Sequence, residues 1–358
     1  MNDITLLKSA VGSNVAPGGF ACLRNNGERK IRIVGTDMAD DPTIKQLVDA
    51  YYKVPAATDP NYCDIMLSIC KKEKVDIYIP GISAEVSAIS KRKKEFDDLG
   101  VILSISNQDS VEIANNKLLT YQTLEKYGIP VPNYYAVYSV DDFIIGCKKL
   151  GYPEKPVCLK IVSGSGSRGV RIIDSSKSRY QIFIHEKPNS LYTSYEDMLE
   201  LLHEPESLDT MMLVDYMPGN EYTVDLLAQQ GEVLYMVGRE NIVSSMSIAQ
   251  GSILSPDEHA YSISRQIVKA LQMDGNVGFD FMRDEKGIPV LMDINPRLTA
   301  TVSLAAMGGV NLQYLRIKQL LGEPLPNCEI RYGTRLRRRY LDMFCDADGK
   351  PLIVKQWM

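Results

Sequence analysis

Histidine is scarce, cysteine follows no pattern and apolar runs are short, and each shortage removes a class of function. Among 358 residues there are three histidines, His185, His203 and His259, and their spacing fits neither a metal site nor a catalytic triad. Seven cysteines, Cys22, Cys63, Cys70, Cys147, Cys158, Cys328 and Cys345, form no CxxC pair. An odd, scattered set indicates neither a disulfide framework nor zinc, so a reducing compartment is expected. No apolar stretch approaches the roughly 20 residues that span a bilayer. The start, MNDITLLKSAVG, has no cationic leader before a long apolar core. No membrane partner and a cytoplasmic location follow as expectations. Basic charge is also lacking: the net charge is -5, whereas a nucleic-acid binder carries a basic patch or stripe. The one basic run, Arg335 to Arg339, reads as a solvated or ligand-facing strand, and no nucleic-acid partner is expected.

What remains is ordinary globular material, 45% hydrophobic and 24% charged, long enough for two or three domains. From Ile4 to about Ser106, short β-rich runs (Ile4 to Leu7, Ile31 to Gly35, Val75 to Pro80, Val101 to Ser104) alternate with helical patterns near Phe20, Thr43, Tyr62 and Ser83. That alternation predicts a Rossmann-like α/β domain, an open parallel sheet with helices on both faces, spanning residues 1–110. Ligands of such sheets sit beyond the carboxyl ends of strands. Asp37 and Glu85 fall in those loops; as a turn residue and a first-turn helix carboxylate they also have structural readings. Ser110 to Tyr127 reads as one helix containing Lys117, ended by Gly128.

Lys160 closes a β-like run, Val157 to Val162, and the glycine-rich turn Ser163-Gly164-Ser165-Gly166-Ser167-Arg168-Gly169 leads into a second, Val170 to Ile173. The spacing is GxGxxG, but a strand follows where a dinucleotide fold needs a helix, which disfavours an NAD(P)-dependent oxidoreductase. A glycine turn between two strands is instead a flap able to lay backbone N–H groups over phosphates. Neither HRD nor DFG occurs, so a protein kinase is disfavoured too. Met211 to Asp225 reads as strand, Pro-Gly turn, strand, able to offer backbone groups to a purine edge and Glu221 to ribose hydroxyls, although surface hairpins often carry acids. Gly231 to Arg239 looks like a further hairpin leading to a polar loop, Glu240 to Ser255, with Arg239 as a phosphate or carboxylate partner. Glu258 to Leu271 is predicted as an amphipathic helix, with His259 in a structural role.

Asn276 to Met307 reads as an antiparallel hairpin about the turn Asp284 to Gly287, followed by a helix. Side chains alternate, so Val277, Phe279 and Phe281 share one face, as do Val290, Met292 and Ile294. Pairing Arg283 with Ile288 puts Asp280 opposite Leu291 and Asp293 one diagonal step away. Asp280, Asp293 and Asn295 then converge as oxygen ligands without histidine or cysteine, a set that suits a hard cation, Mg²⁺ (or Mn²⁺), arriving with a phosphate.

In this order, a lysine before a glycine-rich hairpin, an acid-bearing strand pair and a closing Asp280…Asp293-Ile294-Asn295-Pro296-Arg297 unit resemble the ATP-grasp superfamily, especially ligases like the large subunit of carbamoyl phosphate synthase. The resemblance covers essentially the whole chain. It implies an α/β domain followed by an α+β ATP-grasp fold of two lobes, 111–190 and 191–358. It implies ATP and Mg²⁺ as cofactors, Lys117 and Lys160 on the phosphates, and Ser163 to Gly169 closing over them. Asp215, Tyr216 and Met217 would lie at the adenine, Glu221 at the ribose, Asp280, Asp293 and Asn295 at the metal, and Arg297 at the γ-phosphate and the reacting carboxylate. Asp293 and Asp215 stand where the family commonly has Glu. The implied activity is carboxylate–amine ligation through an acyl phosphate, with small-molecule carboxylate and amine substrates and a homodimer as the default assembly. The alternative is a nucleotide-binding or phosphoryl-transfer subunit without ligase turnover.

Overall fold

The computed structural model describes residues 2–164, 166, 168–245, 248–339 and 342–352. Its first sheet is built from β1 (Ile4–Ser9), β2 (Ile31–Asp37), β3 (Ala50–Lys53), β4 (Ile77–Ile79) and β5 (Ile102–Leu103). All pair in parallel, in the order β3-β2-β1-β4-β5. Between them run α1 (Ala16–Arg24), α2 (Tyr62–Glu73), α3 (Ser83–Ser90) and α4 (Lys93–Asp98). Burial on both faces explains the near-continuous apolar strands: Leu7, Val34 and Tyr78 pack against α2 to α4, while Leu6, Ile33 and Ile79 face Phe20 and Leu23 of α1. The expected α/β domain is present. The helix expected near Thr43 is one 3₁₀ turn, Ile44–Gln46, and β3 was not anticipated, because Ala50-Tyr51-Tyr52-Lys53 has only half-buried or exposed positions and hence no apolar signature.

The helix expected over Ser110 to Tyr127 is two helices, α5 (Gln108–Ala114) and α6 (Lys117–Lys126). Asn116 interrupts it, its side chain accepting the Leu119 N–H at 2.9 Å as an N-cap. Asparagine competes with the backbone in this way at helix starts. The break puts Lys117 at the first turn of α6.

A second sheet, order β6-β10-β7-β8-β9, contains β6 (Tyr134–Val137), β7 (Val157–Ile161), β8 (Val170–Ile173), β9 (Tyr192–Thr193) and β10 (Met211–Asp215). It is flanked by α7 (Val140–Lys149), α8 (Arg179–His185) and α9 (Tyr195–Leu202). The glycine turn joins antiparallel β7 and β8, with Lys160 paired to Val170 and the Ile161 N–H on the Gly169 carbonyl. The expected strand-turn-strand of Met211 to Asp225 is divided between sheets: β10 belongs here, and β11 (Glu221–Gln229) opens the third. Residues 216–220 therefore connect two lobes.

The third sheet has β11, β12 (Glu232–Ser245), β13 (Ile248–Leu254), β14 (Gly275–Arg283), β15 (Pro289–Asn295) and β16 (Arg335–Arg337), in the order β15-β14-β11-β12-β13-β16. Helix α10 (Glu258–Ala270) covers one face, where Tyr222, Val224, Phe279, Phe281, Leu291 and Ile294 are buried. Helices α11 (Val302–Met307) and α12 (Leu312–Leu320) lie on the other. The stretch Glu240 to Ser255, expected as a loop, is mainly the end of β12 and all of β13; its polar residues form a hydrogen-bonded sheet face, which composition alone does not distinguish from a loop. A last ribbon, β17 (Phe344–Cys345) and β18 (Pro351–Leu352), closes the described chain. All seven cysteines are free. Among the described residues no helix is long and apolar enough to cross a membrane.

Candidate active site

The β14–β15 register corrects the sequence expectation. Arg283 pairs with Pro289 and Phe281 with Leu291, then the ladder shifts so that Asp280 faces Asp293 and Phe279 faces Ile294. Met292 is the extra residue of a β-bulge. The bulge turns Leu291 and Ile294 together toward the core under α10, and sends Met292 to the opposite side, among Leu118, Tyr121, Cys158 and Val214. Val290, Met292 and Ile294 therefore do not share a face. The Tyr121 hydroxyl of α6 donates to the carbonyls of Leu291, at 3.4 Å, and Met292, at 3.1 Å, and so holds the bulge from outside the sheet.

Because of the bulge, Asp293, Asp280, Thr223 and Arg239 are successive cross-strand partners over four strands. Thr223 Oγ1 donates to Asp280 Oδ1 at 2.9 Å, and Asn295 Nδ2 to Asp280 Oδ2 at 2.8 Å. Burial pushes the Asp280 carboxyl up to about 7, and Glu221 and Asp293 push the same way against the pull of Arg239. A carboxylate held among like charges favours a proton or a bound cation. Two acids and an amide, without soft ligands, suit Mg²⁺ or Mn²⁺ completed by phosphate oxygens. Among the described residues no three His, Cys, Asp or Glu gather as an all-protein cage.

The second lobe answers with cations. Lys117 Nζ lies 3.2 Å from Asp293 Oδ2 and donates to the Gly164 carbonyl at 2.9 Å. Lys160 is 9% exposed, and its pKa is lowered by burial and by Lys117 against the pull of Cys158, Asp293 and Asp280. Ser163 and Gly164 line a cavity of about 340 Å³ with Lys117, Asp293 and Asn295, which α3 closes through Ser83. Gly166 and Gly169 hold left-handed φ of 66° and 65°. Ser165 and Ser167 lie outside the described residues.

Arg297 is shared between domains. Its Nη2 donates to Asn295 Oδ1 at 3.1 Å and its Nε to Ser83 Oγ at 3.3 Å, and burial lowers its pKa. Arg239 has internal partners: Asp225 at 3.0 Å, Asn241, and Thr299 at 3.3 Å, and it is 4% exposed. Gly278 leaves room for this network, since a Cβ there would meet Thr299 Cγ2 at 2.2 Å. Glu221 accepts from Ser244 at 3.1 Å and is near enough to influence Asp280. Asp215 is tied to Asn133 at 2.7 Å, the Tyr216 hydroxyl meets that of Tyr192 at 3.3 Å, and Met217 joins the apolar group around Met292. These three line the connection between lobes and are not part of the acid–lysine group. Sequence reasoning missed Thr223, Asp225, Asn241 and Thr299. Glu221, Thr223 and Asp225 are polar at alternate positions of an otherwise apolar strand, which is a signal that they share one face.

Residues 207–339 match the family model described as ATP-grasp in the biosynthetic pathway with Ter operon. The chain carries an ATP-grasp domain. Ahead of it, residues 21–104 match the PylC-like N-terminal domain. The carbamoyl phosphate synthase large chain of Lachnoclostridium phytofermentans is 22% identical over 251 residues, 67% of this chain. This chain spans only 22% of that relative's length. Among solved structures, the biotin carboxylase domain of the Hydrogenobacter thermophilus 2-oxoglutarate carboxylase, in complex with MgADP and bicarbonate, superimposes with a TM-score of 0.67 at 16% identity, covering 93% of this chain and 73% of that one. An L-amino acid ligase from Bacillus licheniformis gives 0.63 at 15% identity, covering 91% and 76%. The fold of these two enzymes is thus shared over nearly the whole chain, and the first of them was solved with MgADP.

Proposed function

We propose that this protein is an ATP-dependent carboxylate–amine ligase. The observation that carries the reading is the row Asp293, Asp280, Thr223 and Arg239 across one sheet, faced by Lys117 and Lys160 from the other lobe. Mere nucleotide binding does not require acids, lysines and Arg297 to converge. Asp280, Asp293 and Asn295 would hold Mg²⁺, which neutralises phosphate charge and aligns its oxygens. Lys117 and Lys160 take the phosphates under the turn of Ser163, Gly164, Ser165, Gly166, Ser167 and Gly169. Asp215, Tyr216 and Met217 receive the adenine at the lobe connection, and Glu221 the ribose. Arg297 faces the group in transfer. Arg239 acts through Asp225 and Thr299 by fixing the turn that carries Arg297.

The carboxylate oxygen attacks the γ-phosphorus, the bond to the bridging oxygen breaks, and ADP leaves. The amine then attacks the acyl phosphate carbon, forming the C–N bond and releasing phosphate, while the amine proton passes to phosphate or water. Positioning and charge neutralisation carry such phosphoryl transfers, and a closed glycine turn keeps water from the acyl phosphate. With ATP, Mg²⁺, hydroxylamine and a panel of small carboxylic acids, the expected result is hydroxamate with stoichiometric ADP. Slow ADP release with no hydroxamate from any acid would favour a nucleotide-binding subunit instead.

A further inference from the structure

A second cavity, of about 250 Å³, lies on the far side of Arg297, between the carboxyl ends of β1 and β4 and the turn after β15. Lys8, Arg297 and Gln313 line it, and none of its described lining residues is acidic. The first residues of α1 line it as well; this nine-residue helix begins at Val15 and Ala16 with no side-chain cap. The Ala16 N–H is taken by the Ser13 carbonyl at 2.9 Å and Pro17 has none, so what this helix start offers is chiefly its partial positive charge. Lys8 is 9% exposed, and its ammonium has no hydrogen bond or ion-pair partner among the described residues. Its closest counter-charge, Glu85, is engaged elsewhere: Ser9 and the Gly81 N–H donate to one oxygen, and Tyr62 and Tyr78 to the other. Among the described residues the wholly buried side-chain atoms without a partner are Thr36 Oγ1 and Asn276 Oδ1, so the Lys8 ammonium keeps access to the cavity it lines, where a largely desolvated cation favours an anionic ligand.

Arg297 marks the inner end of the cavity. Its bonds to Ser83 and Asn295 tie it to the phosphate side, while Lys8 and α1 stand on the N-terminal sheet. Given the ligase reading, on which this rests, we propose that the carboxylate substrate bears a second anionic group: one carboxylate meets Arg297 and is phosphorylated, and the other anion is anchored by Lys8 and the start of α1. The cavity volume restricts the substrate to a compact acid.

The test compares succinate, glutarate and adipate with butyrate, valerate and caproate, each titrated calorimetrically into the full-length protein with MgADP. The wild type should bind the diacids at least about tenfold more tightly than the matched monoacids, the range of a charge-assisted contact, and Lys8→Met should bring the pairs within about twofold. Lys8→Gln replaces it if the Met variant does not fold. Equal binding of both series to the wild type overturns the proposal. So does a diacid preference that survives loss of Lys8, which would leave Lys8 as a counter-charge for Glu85. The same acids enter the hydroxamate assay: a Lys8-dependent preference in binding with no hydroxamate sinks the ligase reading and leaves the anion site standing.

Discussion

Asp293 faces a carboxylate along the sheet and an ammonium across the cleft, so removing it disturbs both the metal and the phosphate side. Asp293→Ala should lower turnover by roughly 3–4 kcal/mol of transition-state stabilisation, several hundredfold. An Mg²⁺ titration of ADP release checks this; an unchanged rate and metal dependence would remove Asp293 from the site. Lys8 offers a pH test. Burial pushes its pKa down to about 8, against the pull of Glu85. Between about 8 and the ordinary value of 10.5 the unfolded chain binds more protons at this residue than the folded one, so stability contributed here rises with pH across that window. Denaturant midpoints of wild type and Lys8→Met should converge as pH rises from 8 to 10.5, closing a gap of roughly 3 kcal/mol. A constant gap would contradict it. Asp280, Asp293, Asn295, Arg297 and Lys160 were legible because each lies in a short motif. Thr223, Thr299 and Ser83 were not, because their partners are 57, 74 and 214 residues away.

At the scale of elements, the bulge at Met292 decides the site. Strict alternation predicts Asp280 against Leu291, and only the extra residue brings it to Asp293. The sequence hint is three successive apolar residues, Val290-Leu291-Met292, which no regular half-buried strand requires. Tyr121→Phe removes the hydroxyl from the bulge carbonyls and should cost about 1 kcal/mol in thermal or denaturant unfolding, together with a raised KM for MgATP. Normal stability and KM would show that the bulge holds without it. Gly278 is equally local: its missing side chain admits Thr299 to Asp225, at 2.6 Å. Gly278→Ala should displace Thr299, destabilise the chain by about 1–3 kcal/mol and lower kcat through Arg297. The parallel first sheet was readable from its alternation of strands and helices. The split of Met211 to Asp225 between two sheets was not, since a Pro-Gly turn looks the same inside a hairpin and between lobes.

On the scale of the whole molecule, the N-terminal domain belongs to the site. Ser83 holds Arg297, Arg29 reaches Glu323 at 2.5 Å, and Lys318 reaches Glu28 at 2.6 Å. Tyr314 and Ile317 of α12 complete the same apolar layer as Leu6, Ile33 and Phe20. Removing residues 1–104 should therefore expose that layer and give an aggregating or non-cooperatively melting product by circular dichroism. A soluble, cooperative fragment would show that the C-terminal lobes stand alone. The position of α12 also sets an order in time. One face of the first sheet is finished by a helix some 230 residues beyond β4 in the chain; at about 5–20 residues per second that helix follows by tens of seconds during synthesis. For that interval the nascent first domain presents Leu6, Ile33 and Ile79 with part of their cover not yet made, and a chaperone that shields that face until Leu320 emerges would protect it from aggregation.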